Sequence, residues 1–296
     1  MEIVVIQVLN SLFYAAVLFL IAAGLSLIFG VMGIVNMAHG SFYALGAYVT
    51  AWSVAAAAGA LPAALPPAAL FILLPLGAIA VALIGLAIEP VLLRRFYQRP
   101  EEYQLLVTFG LLLVLEDAIR LVWGGTPRTA SGLVDSLGLL QIGGMPYPVY
   151  NLAMIGVGIV AALGLWAFVY RTRFGVLLRA TAQDRRMAAA LGIDVGRIYS
   201  LAFGLGCFMA GLAGAIVVPS QAAILGMGVE VIVLSFVVVV IGGLGSLEGA
   251  LVGALIVSAL RTITIQFWEE IELAALYLIA AIVLLILPTG LFGKKA

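Results

Sequence analysis

Apolar residues run along this chain in blocks of about twenty, divided by short polar, glycine-rich or proline-rich stretches. A helix of that length spans the roughly 30 Å hydrocarbon layer of a bilayer. The blocks fall at about Ile6–Ile28, Ser41–Ala58, Ala68–Leu93, Tyr103–Trp123, Val149–Tyr170, Ile198–Val218, Glu230–Ile241, Ala250–Leu260 and Leu273–Leu287. Their apolar runs are unbroken rather than alternating, so a membrane barrel, built from strands of about ten residues with alternating polarity, is excluded. Helices remain as the way to satisfy every backbone N–H and C=O in lipid. The pattern predicts an all-α polytopic transmembrane bundle of eight or nine spans. The uncertainty in the count sits at Gly242–Ser246, which either breaks one span or joins two. Pro62, Pro66 and Pro67 mark a turn between the second and third blocks.

Composition removes the soluble alternative. The 296 residues are 65% hydrophobic and only 9% charged, whereas soluble domains carry roughly 25% charged residues. A net charge of zero gives no footprint for nucleic acid. The single cysteine, Cys207, has no partner for an internal disulfide, and with one histidine, His39, there is no conventional zinc set. The start, Met1-Glu2, lacks the basic region of a signal peptide and reads as the head of the first span. Residues 1–296 form a single transmembrane domain in this reading.

Basic residues set the orientation. Arg94, Arg95 and Arg99 lie in one loop, and Arg171, Arg173, Arg179, Arg185, Arg186 and Arg197 in the segment 171–197. Lys294 and Lys295 form the tail. Alternate threading puts all of these on one side and leaves only Arg120, Arg128 and Arg261 toward the other. The basic side is therefore expected to be cytoplasmic, with the N-terminus outside, the C-terminus inside and the 124–148 loop periplasmic.

Two glycine-rich breaks are candidates for the translocation path. The first, Gly30–Ser41, contains Gly33 and brings Asn36, His39 and Ser41 beside backbone freed from the helix. Such backbone survives at membrane depth only inside protein or against a watery path, and broken helices often touch a transporter's substrate. The same residues also suit an interfacial turn with Asn and Ser caps. The second break holds Gly242 and Gly245, and each is followed by a Gly-Ala-rich helix, which suggests two related halves. Small residues at that spacing equally serve close helix packing. Within the spans, Glu116 and Arg120 stand four apart and are expected to pair, while Glu89 is expected at the interface near Arg94-Arg95. The segment 171–197 is too polar to cross, yet its middle favours helix. It is expected to form one short surface helix over Arg179–Ile193. Leu178, Ala182, Ala189 and Ile193 would lie on one face for docking to a partner.

Gly24–Gly40 (GLSLIFGVMGIVNMAHG) closely resembles the amino-terminal signature of LivH-type permeases, membrane subunits of ABC importers for branched-chain amino acids. The similarity continues through Arg179–Asp184, Ala189–Ile193 and Gly242–Ser246 to the closing Pro288–Gly293. It implies an importer made of this chain, a second, LivM-like permease subunit, two ATP-binding subunits and a periplasmic substrate-binding protein in the bacterial inner membrane. ATP and Mg would sit on the ATP-binding subunits, with no cofactor on this chain. The 171–197 loop would be the element coupled to the ATPase, with Arg179, Ala182, Ala188, Ala189, Gly192 and Ile193 as its contact residues. Ala188 and Gly192 fit the general coupling pattern, while Arg186 stands where a glutamate is expected.

The chain lacks a Gly-x4-Gly-Lys-Ser/Thr phosphate loop, so ATP hydrolysis would reside elsewhere. Relatives with similar motifs carry urea, short amides or aromatic acids, and these stay open as alternative substrates beside branched-chain or other hydrophobic amino acids. An ion-coupled secondary transporter is the rival of a different class. Against it stand the docking-like loop and the absence of a carboxylate or histidine relay.

Overall fold

The computed structural model describes residues 2–60 and 67–293. Pro62, Pro66, Lys294 and Lys295 lie outside the described residues. The chain is almost wholly helical: α1 (Glu2–Met32), α2 (His39–Ala60), α3 (Leu74–Val91), α4 (Glu101–Trp123), α5 (Gly132–Leu137), α6 (Val149–Arg171), α7 (Arg173–Gln183), α8 (Arg185–Ala190), α9 (Val195–Val217), α10 (Met227–Gly242), α11 (Leu247–Phe267) and α12 (Glu272–Ile286). Among the described residues, six helices are long and apolar enough to cross a membrane, and α10 and α12 are shorter apolar helices. The charge-bearing α4 has 23 residues, so it matches the bilayer in length as well.

Burial ranks these helices. The apolar stretch of α1 is 83% buried and that of α9 72%, against 22% for α6. A helix that is apolar all round belongs either in a protein core or in lipid. Here α1 and α9 form the centre, while α3, α4, α6, α11 and α12 turn apolar side chains outward. Small residues let the central backbones touch. A Cβ on Gly24 would come 2.7 Å from the Gly206 carbonyl oxygen, and one on Gly46 2.6 Å from the Gly211 Cα. In lipid, where apolar surface gains little by leaving the solvent, such close packing is a main source of helix association.

The Gly242–Ser246 break joins two helices rather than bending one. After it, α11 runs back along α10, with Gly253 packed on the Val238 backbone and Gly242 on that of Gly249. The 124–148 stretch, read from sequence as loop alone, holds α5 and a small antiparallel hairpin, β1 (Leu139–Ile142) and β2 (Met145–Pro148). Its turn is Gly143-Gly144, both at positive φ, the requirement of a two-residue hairpin turn. The single surface helix expected over Arg179–Ile193 is instead two helices. Asp184 adopts extended dihedrals and its Oδ1 accepts the Met187 N–H at 2.9 Å. It therefore ends α7 and caps α8 in one residue, the ordinary behaviour of an aspartate N-cap.

Candidate functional site

The first break is a re-entry into the bundle. At Gly33, with φ +69°, the chain leaves α1, and residues 33–38 carry it back as non-helical backbone. His39, the first residue of α2, has Nε2 3.1 Å from the Ile21 carbonyl oxygen. Ile21 lies about 16 Å before the end of α1, at ~1.5 Å per residue. The first turn of α2 thus sits at mid-bundle depth, and the interfacial-turn alternative does not describe it.

The freed backbone is satisfied by nearby side chains. The Asn36 carboxamide oxygen accepts the Ala38 N–H at 3.1 Å and the Thr108 hydroxyl donates to the Val35 carbonyl at 3.3 Å, while the Ser41 hydroxyl ties α2 to α4 by donating to the Leu112 carbonyl at 3.4 Å. Asn36, His39 and Ser41 are all fully buried, enclosed by α1, α4, α9 and α10. Gly33 alone is exposed. Asn36 Nδ2 and His39 Nδ1 have no protein partner. Buried polar groups usually have one, and Ser26, Tyr48 and Thr50 also carry buried polar atoms without one.

The second break meets the end of α1. A Cβ on Gly30 would lie 3.3 Å from the Gly245 Cα, so the two glycine segments are in direct contact. At Gly243 and Gly245 φ is +107° and +79°. The Ser246 hydroxyl then accepts the Gly249 N–H at 3.0 Å and starts α11. The carbonyls left over at the end of α10 are taken by the closing segment: the N–H groups of Leu291 and Phe292 donate to Ile241 and Gly242, both at 2.9 Å. Two sequence motifs some fifty residues apart are therefore one structure, a capped helix end.

A cavity of about 550 Å³ opens at this junction. Ser26 and Gly30 from α1, Gly245 from the second break, and Arg179 and Ala182 from α7 line it. The structure thus brings one residue set of the expected path beside one of the expected coupling segment. The rest of that segment lies elsewhere. Ala188 is buried, while Ala189, Gly192, Met187 and Leu191 are exposed and Ile193 is partly so. The proposed face Leu178–Ala182–Ala189–Ile193 does not exist as one surface, because Leu178 is buried and the kink at Asp184 divides the rest. The exposed apolar face of α8 is Met187, Ala190 and Leu191.

One charge assignment is corrected and another gains partners. Glu116 does not pair with Arg120; its Oε1 accepts the Gly226 N–H across to the start of α10. A carboxylate near a helix N-terminus is favoured by the orphan N–H groups there, and long-range packing makes that partner available. Glu89 lies beside Arg94 near the end of α3, as expected, and is fully buried there. It accepts from the Tyr97 and Ser200 hydroxyls and lies 3.4 Å from Arg94. Burial first, and then the hydrogen bond to Glu89, push the Tyr97 hydroxyl well above the ordinary phenol range. The proximity of Glu89 to Arg94 is legible in sequence, whereas the Ser200 contribution from α9 is not.

Both basic loops are at the same end of the bundle. One cavity is lined by Arg94, Arg95 and Arg99 together with Arg185 and Arg186. At the opposite end Arg261 contacts Glu272, is 3.7 Å from Glu230, and stacks 4.1 Å over the Tyr14 ring. Among the described residues, no three His, Cys, Asp or Glu side chains gather as a metal site.

Comparison with known proteins agrees with this architecture along nearly the whole chain. Residues 7–287 match the family described as branched-chain amino acid transport system, permease component. The high-affinity branched-chain amino acid transport system permease protein LivH of Salmonella typhimurium is 29% identical over 296 residues, covering 97% of this chain and 95% of that one. BraD of Pseudomonas aeruginosa, a permease protein of the same description, is 26% identical over 299 residues with the same coverage. A probable LivH of Methanocaldococcus jannaschii is 27% identical over 84% of this chain and 77% of its own. This polytopic helical membrane protein belongs to the branched-chain amino acid transport permease family.

Proposed function

We propose that the chain is the membrane-spanning half of an ATP-driven importer for branched-chain or other hydrophobic amino acids. It would work with a second, LivM-like permease, two ATP-binding subunits that carry ATP and Mg, and a periplasmic substrate-binding protein. The family match from residue 7 to residue 287 carries this reading, because it includes both glycine breaks and the α7–α8 segment. The membrane is the bacterial inner membrane, with the N-terminus periplasmic and the arginine-rich loops cytoplasmic, as the basic bias favours.

The mechanism rests on a short mechanical chain. α8 offers its apolar face to an ATP-binding subunit, and burial of Met187 and Leu191 stabilises that contact. α7 borders the cavity that the two glycine breaks share. A shift of α7–α8 would therefore act on Gly30 and Gly245, where backbones touch without side chains between them. The re-entrant segment with Gly33, Asn36, His39 and Ser41 would separate from α9 or α10 to open the path, and the unpartnered Asn36 Nδ2 and His39 Nδ1 would then meet water or substrate. Coupling of this kind needs one element whose two positions are biased by the nucleotide state.

Uptake of labelled leucine into proteoliposomes tests the reading. The full set of subunits with internal ATP and external binding protein should accumulate it, and this chain alone should not. Accumulation by the chain alone under an ion gradient would instead establish a secondary transporter.

A further inference from the structure

We propose that the arginine-lined cavity between the 93–99 loop and α8–α9 binds a phosphate group, presented by an anionic phospholipid headgroup or by a soluble phosphate compound. The cavity measures about 680 Å³, and Arg94, Arg95, Arg99, Arg185 and Arg186 line it with Gln98. No aspartate or glutamate is part of that lining among the described residues. Arg94 is the one of the five with a carboxylate partner, Glu89 at 3.4 Å, and it also donates to the Ser200 hydroxyl at 2.9 Å. Among the described residues Arg95, Arg99, Arg185 and Arg186 form no ion pair.

Glu101 and Glu102, just after Arg99 in sequence, sit in the first turn of α4 outside that lining, and the two aspartates that flank α8 cap helices. Asp184 caps α8 through the Met187 N–H at 2.9 Å, and Asp194 caps α9 through the Arg197 N–H at 3.1 Å and pairs with Arg197. Several like charges thus face one concavity, a repulsion that a bound anion relieves. Guanidinium groups match phosphate best, because their planar forks donate two parallel hydrogen bonds to its oxygens.

The cavity is at the ends of α3 and α9. With the cytoplasmic orientation proposed above, it would face the headgroup region, where basic pockets between transmembrane helices hold anionic headgroups. It is also separate from the apolar docking face. Arg185, Arg186 and Ala189 share the cavity side of α8, whereas Met187, Ala190 and Leu191 point away at helical spacing. The buried Glu89, bonded to Tyr97, Ser200 and Arg94, anchors the wall that carries Arg94 and Arg95.

Native mass spectrometry of the assembled permease, offered phosphatidylglycerol against phosphatidylcholine, tests the proposal, with pyrophosphate titration as the soluble arm. Wild type should retain phosphatidylglycerol or bind pyrophosphate about tenfold better than Arg95→Gln/Arg99→Gln/Arg185→Gln/Arg186→Gln, a difference of roughly 1.4 kcal/mol. Lipid retention without pyrophosphate binding identifies the headgroup, and the reverse identifies a soluble phosphate. The control Arg171→Gln/Arg173→Gln, also at the basic end but outside the cavity, should behave as wild type. Equal retention of both lipids with no pyrophosphate binding overturns the proposal, as does an equal loss in the control. Should the quadruple variant not accumulate, Arg186→Gln alone must weaken the thermal shift given by either ligand; an unchanged shift overturns it.

Discussion

His39 Nε2 lies 3.1 Å from the Ile21 carbonyl oxygen, which pins the first turn of α2 to the middle of α1. That single contact makes the first glycine break a re-entrant element. It also places a histidine and an asparagine, both fully buried, where the transport reading needs a movable part. His39→Ala and Asn36→Ala should each lower ATP-driven leucine uptake several-fold, with His39→Gln, which keeps a donor, recovering part of it. The lost hydrogen bond accounts for about 1 kcal/mol of stability, so a modest fall in melting temperature is expected alongside. Full uptake in both alanine variants would remove these side chains from the mechanism.

The docking surface on α8 is read from exposure. Leu191 is 75% exposed and Met187 57%, high values for apolar residues on a polar segment. Leu191→Asp should abolish co-purification of the ATP-binding subunit and uptake together, while the permease still reaches the membrane. Ala189→Asp puts its charge among arginines instead, and the subunit should still co-purify. The opposite order of sensitivity would move the docking face to the arginine cavity.

Backbone contact between central helices predicts a steep size limit. Gly214 packs on the Tyr43 backbone and Gly46 on that of Gly211. Gly46→Ala or Gly214→Ala should cost about 1 to 3 kcal/mol, the usual penalty of overpacking. Nothing lies within 4 Å of a Cβ on Gly156 or Gly164, so alanine there should be neutral or stabilising by about 0.5 to 1 kcal/mol. Thermal unfolding in one detergent would rank the four, and equal effects would contradict the packing described.

Orientation is open to impermeant thiol reagents in a Cys207→Ala background. Ser131 is exposed in the loop before α5, and Gln183 is exposed at the end of α7, whereas Thr181 is buried and unsuited to labelling. Ser131→Cys should label in intact cells and Gln183→Cys only after permeabilisation. Labelling of Gln183→Cys from outside would invert the topology.

Sequence alone determined the solvent, the fold class and the family. Blocks of about twenty apolar residues and 9% charge admit only a helical membrane bundle, because lipid offers the backbone no other partners. The glycine signatures marked where those helices break, since local composition controls whether a helix can continue. Several features depended on tertiary structure, and each involves at least one partner distant in the chain. Glu116 chose the Gly226 N–H over Arg120, and Glu89 became a buried hub for Tyr97, Ser200 and Arg94. The closing Leu291-Phe292 pair capped α10. Helical periodicity reports only which residues share a face of one helix, whereas these contacts are set by which helices become neighbours and at what depth each begins. The depth of α2 is the clearest case: the sequence marked the break between Gly33 and His39, but only the contact of His39 with Ile21 shows it to be a buried, polar element rather than a surface turn.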